Sequence, residues 1–103
     1  MTYRLRVTAR AVADADETYD WMAEHQSVAQ AERWYQGLFK HIETLTRQPS
    51  RCPRAAERDK FPEELRELLY GKRKSKHRVI FTIRNDEVVV LFVHHSARKE
   101  LEP

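Results

Sequence analysis

The stretch that decides the fold covers residues 77–94 and reads HRVIFTIRNDEVVVLFVH. Its first half, His77–Arg84, alternates apolar positions on one face with mixed positions on the other, which is typical of a strand. Asn85-Asp86 then supplies the two-residue turn of a tight hairpin, because both residue types tolerate positive φ. The second half contains Val88–Val93, which is apolar at every position and predicts a central strand covered on both faces.

The chain before this hairpin predicts one strand and two helices. Tyr3–Val7 alternates apolar and basic residues and is read as a strand, and a helix with an acidic outer side starts near Ala9. Ser27 followed by Gln30 has the form of a capping box, so a second helix begins there. That helix is predicted to end at Gln48-Pro49. Two helices joined by so short a link form an antiparallel hairpin, whose apolar stripes need a sheet to cover them.

Two further features complete the predicted fold. Gly37 costs the second helix up to ~1 kcal/mol relative to Ala, which indicates close packing against a neighbour. Residues 48–62 contain three prolines and predict a long irregular loop, of a length that is usually functional or mobile. Leu65–Tyr70 supplies the remaining strand. The expected fold class is α+β in the order β-α-α-β-β-β, a helical hairpin packed on a small, mainly antiparallel sheet.

Composition narrows the class of protein. A chain of 103 residues is expected to be one domain, residues 1–103. Its one cysteine, Cys52, cannot form an intramolecular disulfide, and we interpret it as a loop thiol rather than a nucleophile. No apolar run approaches the ~20 residues of a membrane span, and the first residues lack the apolar core of a signal peptide. A cytoplasmic location without membrane contact is therefore expected.

Charge is distributed unevenly along the chain. Residues 1–46 carry a net charge of −2 and residues 47–103 carry +5. Within residues 72–78 lie five positive charges and one histidine; the basic residues are Lys72, Arg73, Lys74, Lys76 and Arg78. This cluster is either a solvated turn, a surface for an acidic protein, or a ridge that binds nucleic-acid phosphates by counterion release. We favour nucleic acid as the partner of Lys72, Arg73, Lys74 and Lys76.

The end of the last strand is the second candidate site. Strand alternation sends His94 and His95 to opposite faces, and no metal-ligand spacing occurs, so no metal or other cofactor is expected. A structural histidine that caps the strand is the default reading. In the functional reading, His95 or Arg98 shares a face with Arg78, where an imidazole could move a proton and guanidinium groups could hold a phosphate.

The aromatic residues of the two helices admit a third functional reading. Trp21, Trp34, Tyr19 and Tyr35 could in principle stack on nucleic-acid bases. Their helical spacing instead favours roles in the core or at the helix interface. We therefore predict that they hold the fold.

The order of these elements and several local patterns resemble the RelE/ParE superfamily of bacterial toxins, also described as plasmid-stabilisation proteins. The resemblance covers almost the whole chain. Its parts are Val7-Thr8-Ala9-Arg10-Ala11, Leu45-Thr46-Arg47-Gln48-Pro49, Lys76-His77-Arg78-Val79-Ile80-Phe81-Thr82-Ile83 and Val93-His94-His95-Ser96-Ala97-Arg98. It implies the toxin of a type II toxin–antitoxin system, held inactive by a cognate antitoxin whose tail wraps its surface.

The superfamily divides by target, and the resemblance leaves two targets open. RelE-like members cut mRNA in the ribosome without a metal, and by position Arg78 and Arg98 match the arginines of these nucleases. The first hypothesis is therefore a ribosome-dependent mRNA endonuclease, in which Arg78 and Arg98 stabilise phosphate charge and His95 acts as acid or base.

The second hypothesis is a ParE-like poison of DNA gyrase. It is motivated by the ParE-like helical hairpin and by Lys99-Glu100-Leu101-Glu102-Pro103, which stands where many of the nucleases carry a tyrosine. A third reading is a decayed toxin that binds its antitoxin and poisons nothing.

Overall fold

The structure is a computed structural model, and it describes residues 2–71 and 76–95. The chain forms, in order, β1 (Arg4–Val7), α1 (Ala9–His25), α2 (Val28–Glu43), β2 (Arg66–Tyr70), β3 (His77–Arg84) and β4 (Glu87–His95). This order and the α+β class confirm the prediction. Within the described ranges, no helix is long and apolar enough to cross a membrane.

The four strands form one mixed sheet in the order β1-β4-β3-β2. β1 runs parallel to β4, whereas the β4–β3 and β3–β2 pairs are antiparallel. β4 therefore lies inside the sheet, as its unbroken apolar run predicts. The predicted two-residue turn between β3 and β4 is also present, and Asn85 adopts the left-handed conformation there, with φ of 56°.

The sheet is covered on both faces. We call the side that packs against α1 and α2 the helical face, and the other side the outer face. The core on the helical face contains Ala11, Ala15, Leu38, Ile42, Val79, Phe81, Val88, Val90 and Val93. A smaller cluster on the outer face contains Ala55, Leu65 and Ile80, with Phe61, Leu91 and Phe92 packed around it.

The outer face is covered by residues 49–65, which we call the 49–65 segment. The long irregular loop predicted over residues 48–62 lies mostly within this segment. The segment contains two short 3₁₀ turns, Pro49–Arg51 and Ala56–Asp59. Ala55 N–H donates to Leu65 O at 2.9 Å, and Glu67 N–H donates to Pro53 O at 3.0 Å. Backbone hydrogen bonds and buried side chains thus fix it against the sheet.

The helical hairpin starts as predicted but ends earlier. Ser27 Oγ accepts a hydrogen bond from Gln30 N–H at 3.0 Å and caps α2. α2 ends at Glu43 rather than at Gln48-Pro49. The hydroxyls of Thr44 and Thr46 donate to carbonyl oxygens one turn back, at 2.6 and 2.9 Å. Such side-chain bonds compete with the helical ladder, and a 3₁₀ turn over Thr44–Thr46 follows.

The close packing predicted for Gly37 is confirmed. Tyr70 Oη lies against this position and donates a hydrogen bond to Trp34 O at 3.1 Å. A Cβ at position 37 would overlap the Tyr70 hydroxyl. The glycine therefore lets the end of β2 approach the middle of α2.

We expect Gly37→Ala to lower the free energy of unfolding by about 1 kcal/mol or more, because overpacking outweighs the gain in helix propensity. In a Tyr70→Phe background the hydroxyl is gone, so the same substitution should be neutral or stabilising. Urea unfolding of the four proteins measures both effects. An equal loss in the two backgrounds would contradict the assigned contact.

Candidate functional site

Three of the seven predicted site residues lie within the described structure, namely Lys76, Arg78 and His95. Lys72, Arg73, Lys74 and Arg98 lie outside the described residues. Lys76 directly precedes β3 and is half-buried, whereas Arg78 lies in β3 and His95 ends β4. The geometry of the proposed site therefore depends on Arg78 and His95.

Arg78 lies on the outer face and is enclosed by carboxylates. Only 7% of its surface is exposed. Nη1 and Nη2 donate to the two carboxylate oxygens of Glu57, at 3.0 and 2.5 Å, and Nε donates to Glu67 Oε1 at 3.0 Å. Glu57 belongs to the 49–65 segment and is fully buried. The guanidinium thus forms a bidentate pair with one carboxylate and a further bond with another.

These bonds engage the guanidinium of Arg78. The hydrogen bonds to Glu57, and after them the bond to Glu67, raise the pKa of Arg78, although burial acts in the opposite direction. A phosphate group would have to displace a buried carboxylate to reach the guanidinium. The arrangement leaves little of Arg78 exposed to an incoming anion.

His95 does not share a face with Arg78, so that part of the prediction is wrong. Arg78 pairs with His94 across the strands, and His77 pairs with His95. The cause is a β-bulge: Phe81 pairs with Val90, but Ile80 pairs with Phe92. A bulge adds one residue to one strand and reverses the facing of every side chain beyond it. His95 therefore lies on the helical face.

On the helical face, His95 joins an aromatic cluster. Its ring meets that of His77 edge-on with centroids 4.9 Å apart, and His77 lies 5.0 Å from the ring of Trp34. His77 is buried, with 4% exposure. This cluster packs the end of the sheet against α2, and it lies on the opposite side of the sheet from the Arg78 guanidinium.

Other arginines near the outer face are also paired with carboxylates from the same part of the chain. Arg84 donates to both oxygens of Glu63, at 2.6 and 2.9 Å, and these hydrogen bonds lower the pKa of Glu63. Glu64 lies 2.9 Å from Arg54 and 3.0 Å from Arg66. Arg54, Arg66, Arg78 and Arg84 are therefore all paired with carboxylates from this part of the chain.

Cys52 is placed as a structural thiol. It is 5% exposed within the core, and burial raises its pKa. A thiol held protonated at neutral pH is a poor nucleophile. The prediction of a loop thiol is consistent with this position.

Of the four helix aromatics singled out in the sequence, Tyr19, Tyr35 and Trp34 have the predicted packing roles. The rings of Tyr19 and Tyr35 meet edge-on with centroids 5.7 Å apart, and Tyr35 Oη donates to Asp16 at 2.7 Å across the two helices. Trp34 packs on His77. Trp21 departs from the prediction, because it is 52% exposed and stacks on His25 near the end of α1.

Sequence patterns gave no sign of a groove of about 730 Å³ between the helical hairpin and the end of β2. We call it the hairpin groove. Its lining includes Met22 of α1, Gln26 directly after that helix, Gln30, Arg33 and Trp34 of α2, and Tyr70 of β2. The helical hairpin supplies one wall and β2, which is distant in the chain, supplies the other, so only the tertiary fold brings them together.

Comparison with models of protein families identifies one family. A sequence model of the family described as ParE toxin of type II toxin-antitoxin system, parDE, matches residues 5–100. A solved chain from the chromosomal ParDE toxin–antitoxin system of P. aeruginosa is similar, with a TM-score of 0.77 and 20% sequence identity. The match covers 91% of this chain and 96% of that chain, and at this identity it concerns the fold. A search of curated proteins finds no match.

Glu57→Gln should destabilise the protein strongly, because it leaves the buried guanidinium of Arg78 without its bidentate partner. Breaking a buried pair in this way costs on the order of 3–5 kcal/mol. Glu63→Gln is the matched control, since it breaks the exposed pair with Arg84 and should have a much smaller effect. Chemical unfolding of both variants tests this, and equal losses would contradict the role given to Glu57.

Proposed function

The chain belongs to the ParE toxin family of type II toxin–antitoxin systems, and from that premise we propose that it arrests growth by poisoning DNA gyrase. Its antitoxin would hold it inactive until the toxin is released. Gyrase acts on DNA in the bacterial cytoplasm, which is where the proposal places the protein.

One structural observation favours gyrase over mRNA as the target. Arg78, the arginine that by position matches those of the RelE-like nucleases, is enclosed by Glu57 and Glu67 on the outer face. His95, the expected acid or base, lies on the helical face. A nuclease needs its proton donor and its phosphate-binding groups around one scissile bond. In the described structure, Arg78 and His95 lie on opposite faces of the sheet.

The second argument comes from the family. Within the superfamily, ParE-like members poison gyrase, whereas RelE-like members cut ribosome-bound mRNA. The matched family is that of ParE, and the match extends over residues 5–100. Poisoning of gyrase requires a protein–protein surface rather than a set of catalytic groups. A gyrase poison therefore needs no catalytic role for Arg78, and a structural role is sufficient.

The proposal is tested with purified toxin, DNA gyrase and relaxed plasmid. We expect loss of supercoiling and, after protein denaturation, linear plasmid from trapped cleavage complexes. Toxin mixed beforehand with its antitoxin is the control and should have no effect. Unaltered supercoiling together with mRNA cut in a translating extract would establish the nuclease instead. If the protein still binds its antitoxin but neither inhibits gyrase nor causes cleavage of mRNA, it is a decayed toxin.

A second test separates a structural from a catalytic Arg78. In the double variant Glu57→Leu/Arg78→Met, both members of the buried pair become apolar residues, a change that is often neutral or stabilising. We expect it to fold and to trap gyrase as the wild type does. If the variant melts cooperatively like the wild type but no longer arrests growth, Arg78 acts on the target and the purely structural role given to it is wrong.

A further inference from the structure

A basic surface lies where α2 ends and the 3₁₀ turns begin. It is a shallow concavity of about 490 Å³, formed by the last turn of α2 and by residues that follow it. We call it the α2-end shelf. Its lining combines three cations with one carboxylate and includes Lys40, Glu43, Thr44, Arg47, Gln48 and Arg51. The shelf therefore carries a net positive charge.

The cations of the α2-end shelf are not paired within the chain. Most arginines whose side chains the structure describes lie within salt-bridge distance of a carboxylate, but Arg33, Arg47 and Arg51 do not. Two of these three belong to the shelf. Lys40 has no carboxylate within that distance either, and all three shelf cations are exposed. Their charge is therefore available to an external anion.

The guanidinium of Arg51 is fixed in position by uncharged acceptors. Its Nη1 donates to Arg47 O at 2.9 Å and to Gln48 O at 3.2 Å, and its Nη2 donates to Thr44 Oγ1 at 3.1 Å. A guanidinium has five N–H donors, so these bonds leave further donors for a ligand. Because the acceptors are neutral, they do not offset the positive charge. A side chain that is already ordered also loses less entropy on binding.

The backbone that supports Arg51 is strained at Gln48. This residue adopts the left-handed conformation, with φ of 47° and ψ of 55°. Few residues other than glycine adopt it, and a residue before a proline, as here before Pro49, favours extended backbone. The turn allows the carbonyl oxygens of residues 47 and 48 to accept from the same nitrogen of Arg51. Backbone strain of this kind is concentrated at functional sites, including ligand clamps.

The lining favours a phosphate backbone over a peptide as the ligand. Among the described residues that form the shelf, none has an aromatic or large aliphatic side chain. Protein and peptide sites depend on such anchors for most of their affinity. Contacts of Lys and Arg with nucleic-acid phosphates need no apolar anchor, because the release of counterions drives binding. Duplex DNA also presents phosphates at regular intervals, so several cations of one surface can bind neighbouring phosphates.

We propose that the α2-end shelf binds the phosphate backbone of duplex DNA, and that the toxin uses it to contact the DNA held by gyrase. The second part rests on the proposed function. It would place the toxin against both components of the complex that it traps, the enzyme and its DNA. The first part concerns the free toxin and does not depend on the target.

The test alters charge with little change in side-chain size. Lys40→Gln and Arg47→Gln, each made alone, remove a cation from the shelf, and Glu43→Gln removes its carboxylate. Arg33→Gln and Glu24→Gln are the matched controls, because both residues are exposed and lie outside the shelf. Fluorescence anisotropy with a short labelled DNA duplex, over a range of salt concentrations, gives the affinity and its salt dependence. Urea unfolding checks that each variant is folded.

We expect Lys40→Gln and Arg47→Gln each to weaken DNA binding about threefold to tenfold at low salt. Each should also lower the slope of log affinity against log salt by about 1. Glu43→Gln should strengthen binding several-fold, whereas the two controls should stay near the wild-type value. Arg51→Lys keeps the charge but loses the fixed fork, so affinity should fall without a change in slope. Gyrase assays should rank the variants in the same order by the amount of linear plasmid.

Two results would overturn DNA binding by the shelf. One is an affinity for the duplex that falls no further in Lys40→Gln and Arg47→Gln than in Arg33→Gln. The other is unchanged DNA affinity in these two shelf variants together with weaker antitoxin binding, which would assign the shelf to the antitoxin.

The gyrase assay separates this proposal from the proposed function. If wild-type toxin leaves gyrase unaffected but the shelf variants change DNA affinity as expected, the target is wrong and the DNA-binding shelf stands. If wild-type toxin traps gyrase and the shelf variants trap it equally well, the contact with gyrase-held DNA is wrong.

Discussion

The buried ion pair between Arg78 and Glu57 is the interaction on which the outer half of the molecule depends. It joins the middle of the 49–65 segment to β3, and Leu65 and Ala55 then cover the outer face beside it. Without that cover, Ile80 and the neighbouring apolar residues of β4 would be exposed to water. The same pair neutralises Arg78, which by its position in the sequence was the first candidate for a catalytic residue.

Much of the fold could be predicted because its signals are local. The alternation in β3, the Asn85-Asp86 turn and the cap at Ser27 each depend on a few adjacent residues, and each is found as expected. Gly37 indicated a close neighbour, although only the structure shows that this neighbour is Tyr70. The end of α2 was missed because the hydroxyl bonds of two threonines stop the helix before the proline that was expected to do so.

The candidate site could not be predicted, for two physical reasons. The run Val88–Val93 is apolar at every position, so nothing in it reveals the bulge that turns His95 to the helical face. The partner of Arg78 lies in a 3₁₀ turn far away in the chain, and a single glutamate there has no recognisable pattern. A net charge also does not reveal which groups pair, and the carboxylates of residues 57–67 pair with the arginines beside them. The hairpin groove is likewise a product of tertiary packing.

The central claim is that Arg78 is an enclosed structural residue. Nuclear magnetic resonance of its side-chain Nε–H tests this most directly, by measuring the rate of exchange with water and the response to a short RNA. The account predicts slow exchange, because Nε–H donates to Glu67 in a largely buried setting, and no change in its resonance when RNA is added. Rapid exchange, or a shift of the Arg78 signal that saturates with RNA, would contradict it.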